Sequence, residues 1–328
     1  MLKKIRQYFA NSDARQSAIF CFAIFAFSFC AYLATWHGAF TGYEVEAAKS
    51  AKALLGGVFE IKRTGISMTM LYIPFAFLQK IFSVENINFF TLAIVFYSAL
   101  TNSVIFLLLK KLFNNARAAL LISALIAIGS MIWPYANIGM EYQATLFLAL
   151  TLFALVCYEQ SGKGLIWVGL SLGLLTTAKS YDILLFIPAA AYVLWILKQK
   201  GQIKKIFNFA FLAAFFLPTF LLCGLTALGN WLVYKSFAGT YSLSAEFQIT
   251  AWWEGFYGLF FSIGKSMFTF NPLLIITVLF WPKFLKEHKK PAYFILLNLF
   301  LLLIVNAPLI YWTDETWGIV PPKIRTVW

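Results

Sequence analysis

Charge is scarce in this chain: Asp, Glu, Lys and Arg make up 12% of its 328 residues. A soluble domain covers itself with about twice that share, so a water-solvated globular surface is excluded. Cysteine is scarce too. The four, Cys21, Cys30, Cys157 and Cys223, all fall inside apolar runs. They show neither metal-ligand spacing nor a disulfide framework, and read as small buried hydrophobes. No polar stretch carries a basic stripe with interleaved aromatics. The net charge of +13 therefore does not point to nucleic acid, and membrane lipid is the expected surrounding instead.

What is abundant is apolar: 61% of the residues are hydrophobic, and the charges sit in short clusters between long runs. A hydrocarbon core of about 30 Å needs about 20 apolar residues as helix. Candidate segments are Ser17–Trp36, Ile66–Phe82, Ile87–Leu109, Ala116–Pro134, Tyr142–Tyr158, Gly164–Ala178, Tyr181–Leu197, Ile206–Tyr234, Phe268–Trp281 and Ala292–Tyr311. The first follows a basic start, Met1-Leu-Lys-Lys-Ile-Arg6, without a small-x-small cleavage site, and reads as an uncleaved first helix. The 11 Trp and 15 Tyr suit the two membrane interfaces.

Basic residues fix the topology. Lys3, Lys4, Arg6 and Arg15 place the N-terminus in the cytoplasm. If every candidate crossed, three basic clusters would lie outside: Lys110/Lys111/Arg117, Lys198/Lys200/Lys204/Lys205 and Lys283/Lys286/Lys289/Lys290. Removing one crossing before residue 110 returns all three to the cytoplasm. Ile66–Phe82 is short, contains Pro74 and carries Gln79 and Lys80 near its end, so it reads as an interfacial helix. The expected fold is a single all-α polytopic membrane domain over 1–328, with about nine transmembrane helices. Outer-face juxtamembrane helices lie in 37–86, and a second outer loop spans 235–268. The expected location is the cytoplasmic membrane, multi-pass, with the N-terminus inside.

On that topology only Asp13, Glu159 and Glu287 of the 13 carboxylates are cytoplasmic. Chemistry or binding is therefore expected on the outer face. The first outer loop reads as a short amphipathic helix after Thr41-Gly42, with Val45, Ala48, Leu55 and Val58 as its apolar positions and Gly56-Gly57 as its stop. Glu44 in its first turn could act as a general base toward a hydroxyl or amine. It could equally be a Glu favoured there by the helix dipole, and the residues alone leave both open. Glu141 follows Trp133-Pro134-Tyr135, and Asp182 follows Lys179 at a span junction. Lys179 could bind a phosphate as a point charge or snorkel to headgroups. The long outer segment holds Glu246, Glu254 and Ser262-Ile263-Gly264-Lys265-Ser266. That last run lacks the first glycine of a nucleotide-binding P-loop and is not one. The carboxylates are dispersed in sequence, so no metal cluster or cofactor site is evident, and metal dependence stays open.

Gly258-Leu-Phe-Phe-Ser-Ile-Gly-Lys265-Ser-Met-Phe-Thr-Phe-Asn-Pro272-Leu-Leu274 resembles the GLxxSPGKGLFxxxPLL segment of bacterial GT-C-type membrane glycosyltransferases. It is similar to the dolichyl-phosphate-mannose-dependent mannosyltransferases and aminoarabinose transferases. Other stretches agree: Tyr43-Glu44 opening an outer-face helix, the Pro-containing Ile66–Phe82, and the basic turn Leu109 to Arg117 before a span ending in Trp133-Pro134. Gly173-Leu-Leu-Thr-Thr-Ala-Lys179 resembles the family's G-L-x-x-x-T-K/R stretch.

The resemblance implies a GT-C-like fold, a polyprenyl-phosphate-linked sugar as donor and a lipid or glycan acceptor at the outer face. By it Glu44 takes the catalytic carboxylate role. Lys179 and Lys265 neutralise the lipid phosphate, and Glu46, Glu141, Asp182, Glu254 and Asp314 are candidates for holding acceptor or sugar. Tyr43 stands where the family has the first of two acids, unless Glu46 substitutes, and Ile263 stands where it has proline. Tyr311-Trp312-Thr-Asp314-Glu315-Thr-Trp317-Gly318 resembles the family's W-G-P-R-Y turn, after which further spans are usual, so the expectation is a chain truncated or frame-shifted at about Gly318. The competing functional classes are a lipid or glycolipid transporter or flippase, which would put ionisable groups near the midplane on broken helices, and an inactive truncated paralogue.

Overall fold

A computed structural model of the chain describes residues 12–36, 38, 42–59, 65–83, 87–138, 142–178, 180–237 and 273–306, with isolated positions between 256 and 271. Among the described residues there are helices and no strands. They fall into two compact units, Met1–Thr240 and Tyr241–Trp328. The first unit holds α1 (Ser12–Ala34), α2 (Gly42–Leu55), α3 (Gly65–Ile81), a 3-10 turn at Ile87–Phe90, and α4 (Thr91–Phe113). It continues with α5 (Ala116–Gly129), α6 (Ile132–Ile138), α7 (Tyr142–Ser161), α8 (Leu165–Ala178), a 3-10 turn at Ser180–Leu185, and α9 (Phe186–Gln199). A third 3-10 turn at Ile203–Phe207 leads into α10 (Phe209–Tyr234). The second unit holds α11 (Leu273–Glu287) and α12 (Lys289–Asn306), which pack on each other.

Helix ends follow local chemistry. Asn114 adopts the left-handed conformation (φ 51°) and closes α4 with its N–H to the Lys110 carbonyl. Its neighbour Asn115 opens α5, its side chain accepting from the Arg117 and Ala118 N–H groups. One dipeptide thus supplies both caps. Asn208 caps α10 in the same way through Ala210 and Phe211.

The chain is an all-α multi-pass membrane protein, and among the described residues the helices long and apolar enough to cross are fewer than the about nine expected. Five described helices are long and apolar enough to cross: Asp13–Ala34, Thr91–Phe113, Tyr142–Ser161, Asp182–Gln199 and Phe209–Tyr234. Of the remaining segments, Ile66–Phe82, Ala116–Pro134 and Gly164–Ala178 form shorter apolar helices. Ala116–Pro134 breaks at Ser130-Met131 into α5 and α6, and α8 and α11 have 14 and 15 residues. At 1.5 Å per residue such helices reach only about 21–23 Å. The hydropathy of 116–134 is continuous while its backbone is not, which is why a composition window overcounts.

Side-chain bonds hold the ends of the bundle in register. At one end Lys110 pairs with Asp13 (2.9 Å), Lys111 donates to Gln160 (3.1 Å), and Lys200 donates to the Glu159 carbonyl (2.6 Å). At the other end the Trp36 indole donates to Thr91 (2.6 Å), and Trp133 and Asn137 both donate to Thr35 (2.9 and 3.0 Å). The start of α1 thus lies beside the end of α4, so the chain crosses an even number of times between leaving α1 and entering α4. α3 bridges its neighbours. Ile66, near its start, packs with Leu222, Leu170 and Leu174 of α8 and α10, while Phe75 meets Phe96 and Tyr97 of α4.

Between the two ends, polar groups act as glue. The Asn102 amide donates to Tyr32 (2.7 Å) and Ser28 (3.2 Å), and the Tyr32 hydroxyl donates to the Ala127 carbonyl (2.9 Å), joining α1, α4 and α5. α8 and α10 approach at backbone distance. A Cβ on Gly169 would stand 2.3 Å from the Phe215 carbonyl oxygen, and one on Gly173 would stand 2.8 Å from Thr219 Cα. Thr219 uses that closeness to donate to the Gly169 carbonyl at 2.9 Å. This is the small-x-x-x-small mode of helix association in lipid, where apolar burial alone contributes little between helices.

Candidate functional site

The site grows from α2. On this helix Glu44, Ala47, Ala48 and Ala51 are buried, the three alanines completely, and Lys49 and Lys52 are exposed. Positions 44, 47, 48 and 51 follow i, i+3, i+4, i+7, so the carboxylate continues an alanine stripe. This corrects the expected apolar face: Val45 and Leu55 are only half-buried, and Val58 is exposed. Alanine scores weakly on a hydropathy pattern yet allows the closest approach, and α2 packs along α3. Lys52 reaches back over the Phe90 ring, 5.3 Å from its centroid, which anchors the solvent side.

Glu44 is 3% exposed. It lies within electrostatic reach of Tyr72 on α3 and Tyr142 at the start of α7. Tyr72 is wholly buried against Phe90 (5.8 Å between rings), and Tyr142 stacks on Tyr97 of α4 (6.4 Å, 18°). Burial first, then the neighbouring Tyr142 and the Glu44 charge, push the Tyr72 hydroxyl well above the usual tyrosine range. It therefore stays a neutral O–H donor. The two hydroxyls are close enough to each other to couple, and Tyr142 also lies beside the Gln143 side chain, but neither hydroxyl makes a hydrogen bond of good geometry. The same holds for Ser98 Oγ, Ser67 Oγ and Glu46 Oε2. Between α4, α6 and α7 a cavity of about 10 Å³, at the lower edge of what holds one water, is lined by Ser98, Thr101, Tyr142 and Thr145 among others.

Leaving a buried hydroxyl or carboxylate oxygen unpaired costs about 1–3 kcal/mol each, so such groups collect where a ligand completes them. Here they are one oxygen of the Glu46 carboxylate and several hydroxyls, on and around the helix that carries Glu44. That set can take a proton from a hydroxyl and hold further hydroxyls by donation and acceptance.

Of the residues expected from sequence, Glu44 and Glu46 sit together on α2, Glu44 inward and Glu46 half-buried two positions on. Asp182 is buried in the 3-10 turn that follows α8, the helix against which the start of α3 packs. Lys179, Lys265, Glu141, Glu254 and Asp314 lie outside the described residues. Among the described residues no group of three His, Cys, Asp or Glu side chains could hold a metal ion. Sequence reasoning missed Tyr72, Tyr97 and Tyr142. It assigned tyrosines to the membrane interface in general. The available signal was a tyrosine inside the otherwise apolar helix 65–81 and another directly after Glu141.

Residues 68–223 match the protein family described as dolichyl-phosphate-mannose-protein mannosyltransferase. No curated protein and no solved structure matches the chain. The matched stretch runs from within α3 into α10 and holds Tyr72, Tyr97, Tyr142 and Asp182, while Glu44 precedes it.

Proposed function

On the premise that the chain is of the GT-C glycosyltransferase type, which its match over residues 68–223 supports, we propose that it moves a sugar from a polyprenyl-phosphate donor to a lipid or glycan acceptor. The reaction takes place at the outer face of the cytoplasmic membrane, with the N-terminus of the chain inside. The observation that carries this reading is Glu44: a carboxylate buried on an inward stripe, facing the tyrosine hydroxyls at the bundle end opposite Asp13 and Lys110.

In the proposed reaction Glu44 takes the proton of the acceptor hydroxyl as its oxygen forms a bond to the anomeric carbon. The bond from that carbon to the phosphate oxygen breaks, and the polyprenyl phosphate leaves. Lys179 and Lys265 neutralise the charge that grows on the departing phosphate. Tyr72 and Tyr142 donate hydrogen bonds to the sugar or acceptor, and Asp182, Glu46, Glu141, Glu254 and Asp314 are further candidates for holding hydroxyls. The two lysines and the carboxylates Glu141, Glu254 and Asp314 rest on the sequence resemblance.

The test uses purified protein in nanodiscs with radiolabelled polyprenyl-phosphate sugars, comparing wild type with Glu44→Gln and Lys265→Ala. Sugar release or transfer by wild type that both substitutions abolish supports the reaction and the two roles. Absence of donor binding and turnover across a broad sugar panel, with the protein folded, overturns it.

A further inference from the structure

The end of the bundle opposite Glu44 carries a second feature. A groove of about 490 Å³ runs between the last turns of α9 and the 3-10 turn at Ile203–Phe207, lined by Ala191, Leu194, Trp195, Lys198 and Ile203. Its volume falls within the range of small-molecule sites. The walls are apolar and open: Leu194 and Ile203 are 43% and 44% exposed. Just past the groove Phe207 and Phe209 are each 85% exposed, flanking the cap at Asn208. Apolar side chains this exposed on a turn next to a groove lined by a tryptophan belong to the depth where headgroups meet acyl chains.

The charge around the groove has one sign. Lys198, Lys200, Lys204 and Lys205 lie within eight positions, and no Asp or Glu occurs between Asp182 and Glu246. The acid on the adjoining helix is already engaged: Tyr192 donates to the Glu159 carboxylate at 2.6 Å, and Lys200 donates to its backbone carbonyl. Lys198, Lys204 and Lys205 have no ion-pair partner among the described residues. Lys198 lines the apolar slot, and Lys204 and Lys205 follow its lining residue Ile203 in the same 3-10 turn; together they match one ligand chemistry, a phosphate carried on an acyl chain.

We propose that this groove is a binding site for an anionic phospholipid, with one acyl chain along Ala191, Leu194, Trp195 and Ile203 and the phosphate held by Lys198, Lys204 and Lys205. The occupant is a membrane lipid of the leaflet on the Asp13 side. It is independent of the proposed sugar transfer at the other end. The lysines recognise charge, and the slot confines the chain, so binding differs from the general lipid belt in both respects. Each lysine near a charged headgroup strengthens binding about fivefold, so the three together give on the order of a hundredfold.

The experiment measures lipid retained on the detergent-purified full chain by native mass spectrometry, with phosphatidylglycerol and phosphatidylcholine as probes. One phosphatidylglycerol should survive per chain where phosphatidylcholine does not, and rising salt should release it. Changing Lys198, Lys204 and Lys205 together to Gln should weaken retention about a hundredfold. Ala191→Trp, which fills the slot and keeps every charge, should also abolish the retained lipid. Equal retention of the two lipids, or retention unchanged by either variant, overturns the proposal. If the triple variant does not fold, the salt release and Ala191→Trp decide it.

Discussion

The Asp13 carboxylate and the Lys110 ammonium lie 2.9 Å apart across 97 positions of sequence, tying the first turn of α1 to the last turn of α4. Asp13 is 71% exposed, so the pair contributes at most about 1 kcal/mol. Its value is as a marker of sidedness: two chain positions separated by α2 and α3 share one end of the bundle.

Cysteines placed at Asp13 and at Lys110, in a background without the four native ones, should react with a membrane-impermeant maleimide from the same side. A cysteine at Lys52 should react only from the other side. Labelling of Lys52→Cys and Asp13→Cys from one face would be incompatible with this arrangement.

Tyr72 and Tyr142 should separate stability from activity. Each buries a hydroxyl that makes no hydrogen bond of good geometry, so Tyr72→Phe and Tyr142→Phe should leave the thermal midpoint unchanged or slightly raised. Each change should lower transfer about tenfold, the worth of one hydrogen bond made in the transition state. A parallel fall in midpoint and turnover would assign the hydroxyls to the fold instead.

Glu44 and Glu46 should behave differently although they are two residues apart. Glu44→Gln keeps the volume of the inward stripe and should cost about 100-fold or more in turnover with the protein folded. Glu46→Gln, on the half-buried flank, should cost less than tenfold. Reversed magnitudes in a single-turnover assay would exchange the two assignments.

Gly169→Ala and Gly173→Ala should each destabilise the α8–α10 contact by about 1–3 kcal/mol, since the new methyl meets backbone atoms that cannot step aside. Gly224→Ala on α10 is the control: nothing lies within 4 Å of its added Cβ. Thermal unfolding in one detergent measures all three, and equal midpoints would refute the close contact.

Much of this fold was legible in the sequence, because lipid makes strict demands. Long apolar runs had to be helices, and in the first unit Lys110, Lys111 and Lys200 of two basic clusters meet at one end. The asparagine pair at 114–115 falls at a helix boundary, as its capping chemistry allows. The inward face of α2 was not legible, since an alanine stripe ending in a glutamate reads as polar along the sequence. The break after Gly129 was hidden by uninterrupted hydropathy. The partners of Glu44 come from α3 and α7, roughly 30 and 100 positions away, and only packing brings them together.

The Asn114-Asn115 turn has a consequence for the rotational phase of the helix it opens. α5 buries Ala119, Ser123 and Ala127, one residue per turn, and nothing else. Because the cap is fixed at Asn115, the phase of that row is counted from it. One residue inserted between Asn115 and Ala119 would turn the rest of α5 by about 100°. Two of the three small residues would then give way to Ile122 and Ile126, too bulky for the row against α1 and α4. The chain tolerates little change of length at this turn, however exposed the turn is, because α5 acts as a screw whose thread starts at a single asparagine.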